Sequence, residues 1–154
     1  MKLHYCKTPL GNFGDDLNTW LWPTLLGDSF FNTYEDCLFL GVGTILNQKL
    51  PKRSEKIVLG TGTGYQRPPK VDGTFSIYSV RGPLTAKALN IPLRKSIGDS
   101  AYLCLATDRF KKLFALPKKY RVSVIPHHQT TTTIDWETIG KVSQLHFIDP
   151  RKEF

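Results

Sequence analysis

The chain of 154 residues contains no long apolar run. Its opening stretch Met1–Cys6 is short, and Lys7, Pro9 and Gly11 follow at once, so neither a secretory hydrophobic region nor a spanning helix is predicted there. No other apolar run approaches the roughly 18 residues that a membrane span needs. We therefore expect a soluble protein with no transmembrane segment.

Cysteine is scarce and unpaired in the sequence. Cys6, Cys37 and Cys104 lie far apart, each beside apolar residues, and no CxxC pair occurs. We expect three reduced core thiols in a cytoplasmic protein. Since His4 and His146 have no ligand spacing to the adjacent histidines 127 and 128, no metal site is expected.

The standard nucleotide-binding motifs are also missing. Walker A is absent, and neither glycine loop, Gly41-Val42-Gly43 or Gly60–Gly64, is a GxGxxG fingerprint, because Leu46 and Tyr65 stand where the third glycine belongs. A dinucleotide cofactor is therefore not favoured, and no cofactor is predicted. The glycines either let backbone N–H groups approach a phosphate or carboxylate, or simply make tight turns.

Acidic residues are outnumbered, 13 against 21 Lys and Arg, and the excess is uneven. Residues 1–40 hold two basic and five acidic side chains, whereas residues 41–154 hold 19 and eight. A basic second part attracts anions such as nucleic acid, a phosphorylated metabolite or an acidic polysaccharide; alternatively it is a solvated lysine face. Most aromatics lie in apolar runs rather than among basic residues, so no nucleic-acid partner is expected.

Apolar residues, 40% of the chain, fall into short runs that are typical of strands covered on both faces. A helix is predicted over 14–26, where Pro23 introduces a kink, and shorter helices over 43–50, 83–90 and 107–114. Strand, loop and helix in alternation predict one Rossmann-like, three-layer α/β domain with a mainly parallel sheet. The predicted strands are Lys2–Cys6, Cys37–Val42, Lys56–Leu59, Phe75–Val80 and Tyr120–Ile125, with Leu145–Ile148 a further candidate.

Ligands of such sheets bind at the carboxyl ends of the strands, where several polar residues stand. Arg81 either clamps an oxyanion or forms a surface ion pair. His127 suits proton transfer near neutral pH. Asp15 with Asp16 is either an acid/base pair or a response to the helix dipole, and Asp99 is read as a helix cap.

Taken in order, these segments resemble the polysaccharide pyruvyl transferase family. The family transfers the enolpyruvyl unit of phosphoenolpyruvate to sugar hydroxyls, usually forming a cyclic pyruvate ketal, and has two Rossmann-like halves facing each other as in B-type glycosyltransferases. The segments that carry the resemblance are 12–18 (NFGDDLN), 41–44 (GVGT), 59–62 (LGTG), 79–85 (SVRGPLT), 97–101 (IGDSA) and 125–127 (IPH).

The resemblance implies that the chain is an N-terminal half, since family members are about twice as long and their second half binds the donor through a Ser-x-x-His-type motif. A second domain or a homo-oligomer would complete the site, and the chain alone would be weak or inactive. Asp15 and His127 are the implied catalytic residues. The implied substrate-binding residues are Asn12, Gly14, Gly41, Gly43, Gly60, Gly62 and Arg81.

Two other functions fit the same residues. One is a nucleotide-sugar-dependent glycosyltransferase or another anion-binding Rossmann enzyme, and the other is a non-catalytic basic binding module. A half that faces a partner should also expose an apolar strip beside its glycine loops. Phe13, Tyr65 and Tyr102 are the expected contributors.

Overall fold

Four parallel strands form the main sheet of the computed structural model, which describes residues 1–31 and 36–152. Their spatial order is β1-β2-β3-β4, the same as their order in the chain. The prediction of a mainly parallel α/β sheet is confirmed, although the strands are mostly shorter than the apolar runs. The bounds are Lys2–His4 (β1), Cys37–Leu40 (β2), Glu55–Leu59 (β3) and Phe75–Ser79 (β4).

Both faces of this sheet are covered by apolar side chains. Leu38, Leu40 and Val58 pack into one core cluster, while Phe39 lies in a second cluster against which Ile57 packs. Successive residues of a strand point to opposite faces, so a strand buried on both sides needs an unbroken apolar run. This explains why the strands were recognisable without any alternation of polar and apolar residues.

The helices lie on both sides of the sheet, which makes three layers. Helix α1 (Phe13–Leu26) contributes Leu21 and Trp22 to the cluster around Phe39. It runs through Pro23 to Leu26, because burial of these side chains offsets the roughly 3 kcal/mol that an internal proline costs. The later helices are α2 (Pro83–Ala88), α3 (Asp108–Phe114) and α4 (Trp136–Ser143), of which α4 was not predicted.

Two sequence predictions are wrong. Residues 44–50 form turns rather than a helix, because their backbone bonds to another loop: the N–H of Leu46 donates to Gly62 and that of Gln48 to Arg67. The segment Tyr120–Ile125 supplies only β5 (Ser123–Val124), which is not part of the main sheet. Strand β5 pairs in parallel with β6 (His146–Phe147), and the two form a separate small sheet.

The remaining connections are short 3₁₀ helices, at Asp28–Phe31, Leu93–Lys95 and Ser100–Ala106. The last one begins at Asp99, whose Oδ1 accepts the N–H of Ala101 at 2.9 Å, so the interpretation of Asp99 as a cap is confirmed. Within the described ranges, no helix has the length and apolar character needed to cross a bilayer.

The cysteines do not all lie in the core. Cys104 is buried, Cys37 is half-buried and Cys6 is exposed at the end of β1. The prediction of three core thiols is therefore wrong for Cys6. The apolar run that suggested it, residues 1–6, forms only a three-residue strand, so its last residues leave the sheet.

Candidate functional site

Helix α1 is fixed to the end of β2 by the fully buried side chain of Asn18. Its Oδ1 accepts the N–H of Val42 at 2.9 Å and the indole N–H of Trp22 at 2.8 Å. Its Nδ2 donates to the carbonyls of Val42, at 3.0 Å, and Asp15, at 2.8 Å. Buried polar groups keep their stability only when paired, so these four bonds hold the first turns of α1 against the loop after β2.

Asp15 consequently faces that loop. Its Oδ1 lies only 2.8 Å from the point where a Cβ of Gly43 would be, and its Oδ2 accepts a 2.6 Å hydrogen bond from Asn12 Nδ2. Burial raises the pKa of Asp15 above its ordinary value, opposed by the bond from Asn12, while the charge of Asp16 raises the pKa further and that of His128 lowers it. Asp15 is thus a half-buried carboxyl that holds its proton more tightly than usual.

The two glycine loops form one continuous surface, here called the glycine platform (residues 41–44 and 60–64). The carbonyl of Gly43 accepts the N–H of Gly62 at 3.0 Å and the hydroxyl of Thr61 at 2.8 Å. Gly43 has φ +115°, a backbone conformation that favours glycine. Predicted separately from the sequence, the loops are joined by hydrogen bonds across the ends of β2 and β3.

Arg81 lies over this platform. Its Nη1 donates to Thr44 Oγ1 at 2.8 Å and to the carbonyl of Gly43 at 3.4 Å, and its Nη2 to the carbonyl of Thr63 at 3.4 Å. A Cβ on Gly62 would come within 2.7 Å of the guanidinium. Over the described residues Arg81 forms no salt bridge with a carboxylate, so the alternative of a surface ion pair is not what the structure shows.

Not all the predicted glycines face this space. Gly41 packs against the indole of Trp22 and Gly60 against Ser100, so close packing is what requires glycine at these two positions. Gly14 lies in the first turn of α1 with open space around it. Gly43 and Gly62 are therefore the predicted glycines that lie against Asp15 and Arg81.

The two histidines differ in their surroundings. His127 is exposed, and its Nδ1 accepts the N–H of Gln129 at 3.4 Å. His128 is half-buried, its ring centroid lies 4.3 Å from that of His127, and its charge acts on Asp15. His127 was predicted from the sequence, whereas the charge of His128 is the one that lowers the pKa of Asp15. Both histidines lie at a turn, where the N–H of Thr130 donates to the carbonyl of His127 at 2.8 Å, so strand alternation does not separate them.

Cavities border both the platform and the start of α1. One of about 260 Å³ lies beside the platform and is bordered by Thr44, Gly64 and the exposed ring of Tyr65. A larger one of about 940 Å³ lies next to the start of α1, where the N–H of Phe13 donates to the carbonyl of Pro150 at 2.7 Å. The larger cavity was not predicted, because its walls come from α4, which was also missed. Within the described residues, no group of three or more His, Cys, Asp or Glu side chains is arranged to hold a metal ion.

Comparison with curated proteins adds one close likeness. The chain is 40% identical over 156 residues to the succinoglycan biosynthesis protein ExoV of Rhizobium meliloti (strain 1021). The alignment covers 99% of this chain and 48% of that protein, so the chain spans about half the length of the curated relative it matches. No family model and no solved structure matches the chain.

Two of the three aromatic residues expected in an apolar strip beside the glycine loops are exposed. Tyr65 and Tyr102 are 81% and 75% exposed, whereas Phe13 is half-buried at the large cavity. A carboxyl and a guanidinium both approach Gly43: Asp15 Oδ1 lies 2.8 Å from where its Cβ would be, and Arg81 Nη1 donates to its carbonyl at 3.4 Å. A carboxyl can exchange a proton and a guanidinium can bind an oxyanion.

Proposed function

We propose that this chain forms one wall of a pyruvyl-transfer site in polysaccharide biosynthesis, with phosphoenolpyruvate as donor and a saccharide as acceptor. The observation that carries the proposal is the meeting of Asp15 and Arg81 at Gly43. The likeness to a succinoglycan biosynthesis protein supports the polysaccharide part of it. The resemblance of the motifs to the pyruvyl transferase family supports the choice of donor.

Donor binding rests on the guanidinium of Arg81 and the polar groups around it. Phosphoenolpyruvate carries a phosphate and a carboxylate, and the planar fork of arginine matches either group with two parallel hydrogen bonds. The small cavity beside Thr44 lies at the residue to which Arg81 Nη1 donates. An oxyanion there would take over donors that now bond to Thr44 and to the carbonyls of the platform.

Acid and base catalysis rests on Asp15 and the histidine pair. Protonation of the methylene carbon of phosphoenolpyruvate makes C2 electrophilic, a sugar hydroxyl adds to C2 and loses its proton to a base, and phosphate leaves with the electrons of the C2–O bond. A second hydroxyl then adds to the oxocarbenium carbon C2 and loses its proton to the departing phosphate, which closes the ketal. A carboxyl with a raised pKa is a stronger base than an ordinary aspartate, which suits Asp15 to accept the hydroxyl proton. His127 and His128 are the proposed acid side.

A complete site requires a second half. The chain spans 48% of the relative it matches, and the family resemblance puts the donor-binding histidine in the other half. A half-site that is open to water holds an anion weakly, because each exposed charge pair is worth only about 1 kcal/mol. We therefore expect the chain alone to bind phosphoenolpyruvate weakly and to be a poor catalyst, with a second domain or a second copy completing the cleft.

The alternative function that the same clamp supports is transfer of a sugar from a nucleotide sugar, since the fork of Arg81 would bind a diphosphate equally well. Titration of the isotope-labelled chain with phosphoenolpyruvate, or with a nucleotide sugar, separates the two by amide chemical shifts. We expect millimolar phosphoenolpyruvate to shift the amides of Gly43, Thr44 and Thr63. The Arg81→Ala variant should lose the effect and Arg94→Ala, an exposed control, should keep it. Shifts with the nucleotide sugar alone would contradict the proposed donor.

A further inference from the structure

The cavity of about 940 Å³ beside α1 has walls of two kinds. Aromatic rings contribute from α1, α3, the β5 region and β6, and polar side chains contribute from α4 and the C-terminal segment. Its volume is in the upper part of the range of small-molecule sites, roughly 300–1,000 Å³. The rings are those of Phe13, Phe110, Tyr120 and Phe147, and the polar side chains include Glu137, Lys141, Gln144 and Lys152.

The aromatic walls are held in place by stacking. The ring of Tyr120 lies parallel to that of His146, with centroids 3.6 Å apart and 7° between the planes. Phe147 lies parallel to Trp136 at 6.4 Å and 5°, and the indole N–H of Trp136 donates to the carbonyl of Thr130 at 3.1 Å. Rings supported in this way present flat apolar surfaces with little rotational freedom to lose on binding.

Three of the polar side chains could form hydrogen bonds with a ligand. In residues 1–31 and 36–152, the side chains of Glu137, Lys141 and Gln144 make no hydrogen bond or ion pair. Glu137 and Lys141 stand about one turn apart on α4, and Gln144 follows its end in the left-handed conformation, with φ +55°. A carboxylate, an ammonium and an amide therefore line the same cavity and offer both donors and acceptors.

We propose that this cavity binds a saccharide chain, the acceptor of the proposed reaction; the inference rests on that proposed function. A sugar ring has an apolar C–H face, which stacks on aromatic rings, and an edge of hydroxyls, which pair with carboxylate, amide and ammonium groups. A wholly apolar ligand would desolvate Glu137 and Lys141 without pairing them. A single phosphate is too small to contact all four aromatic rings of the cavity.

The cavity lies beside the helical turn that carries Asp15, the proposed base. Phe13 lines it and is the first residue of α1, so Asp15 follows within the same helical turn. The bond from Phe13 to the carbonyl of Pro150, another lining residue, joins that turn to the cavity wall. A saccharide bound there has its hydroxyls beside the turn that carries the proposed base.

The test uses oligosaccharides made by partial hydrolysis of succinoglycan, with saturation-transfer NMR to detect contact and calorimetry to measure affinity. Ile125 lines the cavity and is 56% exposed, so Ile125→Trp should fold and fill the space. Ile97→Trp, at a 76% exposed position outside the lining, is its matched control. We expect Ile125→Trp to weaken oligosaccharide binding by more than about tenfold, as blocking the core of a binding site does, and Ile97→Trp to leave it unchanged.

A second variant tests the polar walls without filling the cavity. Gln144→Gly removes the amide and suits the left-handed backbone, and Gln48→Ala removes an exposed glutamine elsewhere. Oligosaccharide binding should weaken in Gln144→Gly and stay unchanged in Gln48→Ala. Equal binding by wild type, Ile125→Trp and Gln144→Gly would overturn the saccharide site, as would absence of any oligosaccharide binding.

These results are separable from those for the proposed function. If the oligosaccharide fails to bind while phosphoenolpyruvate still shifts the platform amides, only the cavity assignment is wrong. If the cavity variants lose the oligosaccharide while phosphoenolpyruvate shifts nothing, the saccharide site stands and the proposed donor is wrong. A naphthalene sulfonate dye that enters the cavity and is not displaced by oligosaccharide would show an apolar ligand site and overturn the inference.

Discussion

The side-chain amide of Asn18 pairs with both backbone groups of Val42, accepting its N–H at 2.9 Å and donating to its carbonyl at 3.0 Å. The amide thus bonds to the chain after β2 as a neighbouring strand would. Val42 lies between Gly41 and Gly43, and Asn18 also bonds to the carbonyl of Asp15. One buried residue therefore sets the position of the carboxyl relative to the platform.

Replacement of Asn18 should destabilise the protein strongly. Asn18→Leu leaves the N–H and carbonyl of Val42 and the indole N–H of Trp22 without partners in the core. We expect a loss of about 3 kcal/mol or more, because each buried unpaired group costs about 1–3 kcal/mol. Urea unfolding measures it. Asn47→Ala, which removes only local loop bonds, is the control, and a similar small loss in both variants would contradict the role of Asn18.

Gly41→Ala tests the contact between the platform and α1. A Cβ there would collide with Nε1 of Trp22, so the indole must move and its bond to Asn18 must weaken. We expect a destabilisation of about 1–3 kcal/mol, the usual cost of overpacking a core. Gly73→Ala meets nothing within 4 Å and should be neutral or slightly stabilising. In thermal unfolding, Gly41→Ala should therefore melt at a lower temperature than Gly73→Ala.

Asp15→Asn tests the raised pKa of the proposed base. Because burial raises the pKa of Asp15, the folded state keeps the proton to a higher pH than the unfolded chain, so wild-type stability falls as pH rises upward from about 3.8. The asparagine variant lacks this effect. We expect it to be more stable than wild type at pH 7 and to lose the advantage below pH 3.8.

Urea unfolding at both pH values provides the measurement for Asp15→Asn, with the exposed Asp28→Asn as the control. The gain in stability should be specific to position 15 and should shrink on acidification. A gain that does not change with pH, or one that is equal at position 28, would mean that burial of the carboxyl is not its cause.

Arg151→Lys tests an ion pair at the cavity end of the chain. The guanidinium of Arg151 holds Asp149 through bonds of 2.9 and 2.7 Å and lowers the pKa of that carboxyl to about 2. A lowered acid pKa stabilises the fold above the unfolded value near 3.8, and this stabilisation is lost as pH falls towards 2. We expect the variant to raise the pKa of Asp149, measured by NMR, and to melt below wild type at pH 7. Identical melting at pH 7 would contradict this.

Sequence reasoning succeeded where burial on both faces dominates. The runs predicted at 37–42 and 56–59 correspond to the adjacent parallel strands β2 and β3, and the helix around Leu17 and Leu21 formed because one face is apolar. It failed at 43–50, where a helix opened by Gly43 and stopped by Pro51 was predicted but the backbone bonds to a distant loop. Hydrogen bonds between distant segments leave no periodic signal in a sequence.

The candidate site, like the fold, was predicted correctly only in part. The positions of Asp15 and Arg81 followed from the rule that ligands bind at the carboxyl ends of parallel strands. The choice between His127 and His128, the packing roles of Gly41 and Gly60, and the cavity beside α4 depend on side-chain contacts between segments far apart in the chain. Those contacts had no counterpart in local patterns.

The central claim is that this chain supplies one wall of a pyruvyl-transfer site, and a chimera tests it most directly. The chain replaces the matched region of the succinoglycan biosynthesis protein ExoV, and the folded chimera is incubated with radiolabelled phosphoenolpyruvate and succinoglycan oligosaccharides. The account predicts transfer of label to the saccharide with release of phosphate, and loss of both in the Arg81→Ala and Asp15→Ala chimeras. A folded chimera that transfers no label, in an assay where a reference pyruvyl transferase does, would contradict it.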